Sequence, residues 1–311
     1  MADDEPRTRK VPAIAGPTAS GKSAAAFALA QEFGLEIVTA DSMQVYRGLD
    51  VGTAKPSAEE QRLVPHHLID VVSPEERFTV ARYVRLAEEA IAEVRGRGVV
   101  PLVAGGTGFY LRALREGVPT APEADPERQA PIWREVEGGH LRDLIEELSA
   151  ASLDDADRAA TNPRRVVRSI EVLRATGRPP SAFPFTTPRF EYDVFLLDPP
   201  PGILRQRIDD RARRQVETGL LDEARELLER HGGAPTAIQA IGYKEVFPYL
   251  RGEASLEEVT TALVDATARY AKRQRTWFRR EPNVHRLEMT GEQALPELRR
   301  LFKERGLVHE K

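Results

Sequence analysis

The sequence contains no cysteine, which excludes disulfides, thiol nucleophiles and cysteine-ligated zinc. It also lacks an apolar run of about 18 residues, the length a membrane-spanning helix needs, so no membrane partner is expected. Met1 to Lys10 has neither the apolar core of a signal peptide nor the acid-poor bias of a transit peptide, and the expected location is cytoplasmic. A global excess of positive charge is missing too. The net charge is −4, so any nucleic-acid surface has to be a local patch. His66 and His67 are adjacent and have no third histidine nearby, which argues against a zinc site. What remains, with 41% hydrophobic and 30% charged residues among 311, is an ordinary globular composition. It is long enough for one large domain or two unequal ones.

One stretch stands out against that background. Gly16-Pro17-Thr18-Ala19-Ser20-Gly21-Lys22-Ser23 fits the pattern G-x-x-x-x-G-K-[ST]. It follows a short apolar run, Val11 to Ala15, and precedes an alanine-rich helical segment that stops at Gly34. Strand, glycine-bounded loop and helix together make a phosphate site. The glycines let successive N–H groups point at an anion lying at the positive end of the helix dipole. Lys22 is expected to reach the outer phosphate, and the Ser23 hydroxyl to hold Mg²⁺.

Leu35 to Ala40 reads as a second strand ending on Asp41-Ser42-Met43-Gln44. In open parallel sheets the carboxyl ends of strands face the ligand crevice, which puts Asp41 beside the phosphate loop. A carboxylate there can bind Mg²⁺, accept a proton or cap the next turn. Residues 45–77 have little regular pattern, and a connection this long usually serves function. Thr79 caps a helix running to about Arg97. A third buried strand, Val99 to Ala104, runs into Gly105-Gly106-Thr107-Gly108. ATP-hydrolysing proteins with this loop carry Asp or Glu for Mg²⁺ at such a strand end. No acid follows Ala104 here, which counts against a plain ATPase.

From about 118 to 188 the strand-helix rhythm stops and prolines bracket the region. Leu141, Leu144, Ile145 and Leu148 mark one helix; Val166, Val167, Ile170 and Leu173 mark another, opened by Asn162-Pro163 and closed by Gly177. Arg164, Arg165, Arg168 and Arg174 occupy the second helix's other face. The expected organisation is a catalytic core over 1–118 and 189–311 interrupted by an inserted helical domain, 119–188. The sheet resumes at Tyr192 to Leu197 and is followed by an arginine-rich helix. The last long helix, about Leu256 to Arg280, has Val259, Leu263, Tyr270 and Trp277 on its anchoring face and Arg269, Lys272, Arg273 and Arg280 on another. Residues 269–280 hold six basic residues and no acid, a patch suited to a polyanion.

Separated stretches converge on one family. GPTASGKS at 16–23, DSMQVYRGLDVGTAKP at 41–56, HHLID at 66–70, AGGTGFYLRAL at 104–114, PRRVVRSIEVLRATG at 163–177, AIGYKE at 240–245 and YAKRQRTWFR at 270–279 resemble the bacterial tRNA dimethylallyltransferases (tRNA isopentenyltransferases, the MiaA family). The resemblance implies a P-loop kinase-like parallel sheet flanked by helices, an α/β fold with an inserted all-helical domain. It implies transfer of a dimethylallyl group from dimethylallyl diphosphate to N6 of adenosine 37, beside the anticodon of tRNA, with release of diphosphate.

By the same resemblance Gly16 to Ser23 hold the diphosphate, with Mg²⁺ as cofactor on Ser23. Asp41 is the general base, Thr107 sits across the channel, and Arg211 grips the diphosphate, with Arg207, Arg213 and Arg214 as neighbouring candidates. The residues matched to RNA contacts are Asp41, Ser42, Met43, Gln44, Thr107, Gln129, Arg164, Arg165, Arg168, Lys272, Arg273, Gln274, Trp277 and Arg279. At 129 this chain departs from the family's arginine, placing Gln129 next to Arg128. The implied partners are dimethylallyl diphosphate and the anticodon stem-loop of tRNA, bound by a monomer. The competing readings are a P-loop kinase of a small metabolite and an adenylate isopentenyltransferase acting on free nucleotide.

Overall fold

A computed structural model describes residues 10–232, 234 and 236–308; the polar N-terminal stretch before Lys10 lies outside them. The chain divides into two compact units, one reaching Arg115 and resuming at Arg189, the other Glu116–Pro188.

The first unit is built on six parallel strands: β1 (Val11–Ala15), β2 (Glu36–Ala40), β3 (His66–His67), β4 (Pro101–Gly105), β5 (Tyr192–Leu197) and β6 (Val284–Leu287). Their order is β3-β2-β4-β1-β5-β6. The inner strands read as unbroken apolar runs because helices cover both faces, and every residue of β1 and β4 is buried. On one side Leu29, Ile37, Leu102, Phe195, Leu298 and Phe302 form a core between the sheet and the helices Lys22–Phe33 and Gly291–Glu304. A second core, including Tyr46, Ile208, Leu227, Tyr243 and Leu263, joins the 45–51 connection to the helices Pro201–Glu217, Leu220–His231, Tyr243–Leu250 and Leu256–Phe278.

Local signals set the helix ends. Gly21 and Gly34 bracket the first helix in left-handed conformations. The Thr79 side chain accepts from Arg82 N–H, and Ser255 with Glu258 forms a capping box at the start of the long helix. No helix of the described residues is long and apolar enough to cross a membrane.

The second unit packs the helices Pro126–Glu137, Leu141–Ala151, Leu153–Ala159 and Pro163–Thr176 around Ile132, Leu144, Leu148, Val166, Val167 and Ile170. Asn162 caps the last of these helices ahead of Pro163, and Gly177 ends it at φ 69°.

Candidate active site

Register alone assembles the site. Ala15 and Ala40 both pair with Gly105, so three adjacent strands end in one row. The residues that follow, Gly16, Asp41 and Gly106, therefore leave the sheet side by side. Close approach requires the glycines of the third turn: a Cβ on Gly105 would lie 2.1 Å from the Ala40 carbonyl oxygen. Thr107 N–H donates to Ala40 O (3.2 Å), and Thr107 Oγ1 accepts from Ser42 N–H (3.1 Å). The second and third turns are thus tied together.

The phosphate loop is held from four directions. Thr18 N–H donates to Gln274 Oε1 (2.8 Å), and Gln274 Nε2 donates to Gly106 O (2.8 Å), so one buried amide ties the loop to the Gly106 turn. Arg211 donates to Thr18 Oγ1 (3.1 Å). Arg207 Nε donates to Ala19 O (2.9 Å) while its second amino group pairs with Glu292 (2.8 Å). Ser20 O accepts from Gly291 N–H (2.8 Å). Ala19 sits at φ 63°, a region alanine seldom occupies, and these surrounding bonds hold it there. Of the four candidate arginines, Arg207 and Arg211 touch the loop and Arg214 lines the cavity beside it. Arg213 pairs with Asp209 on the exposed side of the helix (2.9 Å).

The loop opens on a cavity of about 860 Å³, lined by Thr18, Lys22 and Arg211 and also by Asp41, Gln44 and Tyr270. That is room for a ligand and the group it reacts with. Lys22 lines the cavity and donates to Pro17 O (3.2 Å). Enclosure by protein lowers its pKa to about 8; the Asp41 charge opposes that and Arg211 adds to it. Asp41 is half-buried, and its Oδ1 accepts from Met43 N–H (2.8 Å) and Gln44 N–H (3.3 Å). It therefore does cap its own turn, while Oδ2 has no hydrogen bond among the described residues.

The other expected RNA contacts fall into distinct settings. Ser42, Met43 and Gln44 are half-buried on the Asp41 turn. Gln44 spends its amide N–H groups on the carbonyls of Thr53 and Ala54 (3.1 Å each). Lys272, Arg273 and Arg279 are exposed along or just beyond the long helix. Trp277 is half-buried against Gly108, with Arg112 stacked 4.3 Å over its ring. Gln274 is 8% exposed, committed to the loop brace and part of the cavity lining. Arg275, one of the six basic residues, is an internal partner of Asp198 (2.6 Å) together with Arg286 (3.1 Å). Tyr270, expected among the anchoring residues, instead walls the cavity; burial pushes its hydroxyl pKa up.

In the helical unit Arg164 and Arg165 are exposed. Arg168 and Gln129 bind the buried carboxylate of Glu171 (2.7 and 2.6 Å), an acceptor that helps hold the unit together.

Sequence reasoning missed the C-terminal clasp on the phosphate loop. A Cβ on Gly291 would lie 2.1 Å from Gly21 O, so two helix starts touch there. The available signal was Thr290 with Gln293, a capping box that marks a helix start.

The IPP transferase family model matches residues 44–281, and an isopentenyl transferase model matches 9–70. A tRNA dimethylallyltransferase of Thermus thermophilus is 51% identical over 285 residues, which cover 91% of this chain and 94% of that protein. One from Deinococcus radiodurans is 44% identical, covering 87% and 90%. The full-length tRNA isopentenylpyrophosphate transferase of Bacillus halodurans superposes with a TM-score of 0.70 at 37% identity, covering 96% of each chain. A eukaryotic dimethylallyltransferase caught acting on tRNA gives 0.74 at 28% identity, covering 95% of this chain and 78% of that one. The chain belongs to the IPP transferase family, the prenyltransferases named as tRNA dimethylallyltransferases.

Proposed function

We propose that this site transfers a dimethylallyl group from dimethylallyl diphosphate to N6 of adenosine 37 in the anticodon loop of tRNA. The observation that carries the reading is one cavity lined both by the phosphate-loop residues Thr18 and Lys22 with Arg211 and by Asp41, whose charge acts on Lys22. The group that departs and the group that must lose a proton would meet there. N6 attacks the allylic carbon, the bond from that carbon to the diphosphate oxygen breaks, and the N6 proton passes to Asp41. The exocyclic amine is a weak nucleophile, because its lone pair is delocalised into the ring. A carboxylate taking its proton as bonding develops contributes about 10²–10⁴-fold. Loop amides, Lys22, Arg207 and Arg211 are fixed before reaction and receive the charge of the departing diphosphate.

The donor set at the loop fits Mg²⁺. This ion keeps several waters and binds through one or two protein groups plus phosphate oxygens. Ser23 offers a hydroxyl, and no cluster of three or more His, Cys, Asp or Glu exists among the described residues to form a protein cage. Mg²⁺ bound there would offset charge on the diphosphate.

Lys272, Arg273 and Arg279 on the first unit, and Arg164 and Arg165 on the helical unit, are the proposed phosphate-binding cations for the RNA backbone. Unstacking the target base costs a few kcal/mol, which such contacts can offset. A P-loop kinase is disfavoured because β4 ends in glycine, without an acid.

The test is mass spectrometry of nucleosides from tRNA incubated with the protein, Mg²⁺ and dimethylallyl diphosphate. N6-dimethylallyladenosine is expected. Unmodified tRNA beside brisk ATP hydrolysis would return the kinase reading.

A further inference from the structure

The 48–55 connection has no regular structure, yet side chains from a different layer grip it. Glu223, on the helix Leu220–His231, accepts from the N–H groups of Asp50 and Val51 through Oε2 (2.7 and 2.9 Å). Its Oε1 accepts from Gly52 N–H (2.9 Å) and from the Tyr243 hydroxyl (2.6 Å). Gln215 Nε2 donates to the carbonyls of Val51 (2.6 Å) and Gly52 (3.0 Å). Consecutive N–H groups converging on one point make an anion-binding concavity, and here the protein's own carboxylate fills it. No side chain fits at residue 52, where a Cβ would lie 2.5 Å from the Tyr243 ring.

The far end of this stretch leads to the reaction centre. Ala54 is held at φ 48°, and the carbonyls of Thr53 and Ala54 accept from Gln44 Nε2 (3.1 Å each). Gln44 N–H then donates to Asp41 Oδ1 (3.3 Å). An unbroken path therefore runs from Glu223 through residues 50–54 and Gln44 to the Asp41 carboxylate, in the cavity that the phosphate loop also lines. Gly52, Thr53 and Ala54 also form part of the cavity wall.

From this geometry we propose that Glu223 is a positioning residue: by fixing the 50–54 loop it fixes the Asp41–Gln44 turn, and so the aim of the Asp41 carboxylate at the acceptor amine. The inference rests on the reading of Asp41 as proton acceptor. Removing the carboxylate leaves three N–H groups without their acceptor and loosens the carbonyls that orient Gln44. Affinity for the diphosphate is untouched, because the cradle is braced separately by Gln274, Arg207 and Arg211.

Glu223→Gln keeps the shape but turns an amide NH₂ toward backbone donors. Tyr243→Phe removes one hydroxyl donor and is the milder variant should the first fail to fold. The readouts are single-turnover transfer to tRNA, calorimetric affinity for dimethylallyl diphosphate, and hydrogen exchange of amides 50–52. E223Q is expected to slow transfer about 10- to 100-fold, the scale of a misplaced reacting group, with affinity within about twofold and faster exchange at 50–52. Y243F should move each readout the same way, by less. Combining E223Q with Gln44→Ala should lose little beyond the larger single effect, since both act along one path. A parental transfer rate in E223Q despite lost amide protection, or losses that multiply in the double variant, would overturn the proposal. Absence of transfer by the parent protein would instead refute the proposed function, and the role of Glu223 with it.

Discussion

Replacing Gln274 by leucine removes one side chain and unpairs two backbone groups, Thr18 N–H and Gly106 O, both now satisfied at 2.8 Å. An unsatisfied buried polar group costs about 1–3 kcal/mol, so the pair costs about 2–6 kcal/mol. Leucine has a similar volume, so no large cavity opens, and its burial returns about 1–2 kcal/mol. Taking the middle of each range, about 4 less about 1.5, the net loss is about 2–3 kcal/mol, which for a chain of this size lowers the melting temperature by roughly 5–10 °C. Gln274→Glu separates stability from binding. A carboxylate still accepts from Thr18 N–H but cannot donate to Gly106 O, and it places negative charge beside the cradle. Its thermal loss should be smaller than that of the leucine variant and its loss of diphosphate affinity larger. Differential scanning fluorimetry and calorimetric titration with dimethylallyl diphosphate read the two effects. A leucine variant melting within about 2 °C of the parent and binding the diphosphate equally well would refute the brace.

Two further outcomes follow from the charges. Burial brings Lys22 from 10.5 down to about 8. Between those values the unfolded chain holds a proton the folded one has released, so this group's contribution to stability rises as pH climbs through the window. The charged lysine is the form that pairs with diphosphate, so affinity should fall above about pH 8 and binding should then take up a proton. Calorimetry in two buffers of unequal ionisation enthalpy measures the uptake, and Lys22→Met should abolish it. Lys272 and Arg273 are exposed, so their double replacement by alanine should barely change the melting temperature. It should flatten the slope of log tRNA affinity against log salt by about 1–2; an unchanged slope would move the RNA surface elsewhere.

The row of strand ends was legible because buried parallel strands are unbroken apolar runs and the turns after β1 and β4 need glycine. The edge strands were not. His66–His67 is two residues long, and β6 is a half-buried Val-His-Arg-Leu with no apolar run, so main-chain pairing with a neighbour is what makes them strands. Gln274 lies four residues after Tyr270 and four before Phe278, which puts it on the inward face by helical period. The family resemblance groups it instead with Lys272 and Arg273 as an RNA contact. Glu223 had no local signal, since its partners lie some 170 residues away in the chain and only the packing of the helical layer brings them together.

Single-turnover transfer by Asp41→Ala in the presence of saturating tRNA and dimethylallyl diphosphate tests the central claim most directly. Asp41 lines the same cavity as the phosphate loop and is read as the acceptor of the N6 proton. The expected result is a rate at least about 10²-fold below the parent, with affinity for tRNA and for the diphosphate changed by no more than a few-fold. A rate within about threefold of the parent would contradict that role, leaving Asp41 as the cap of its own turn.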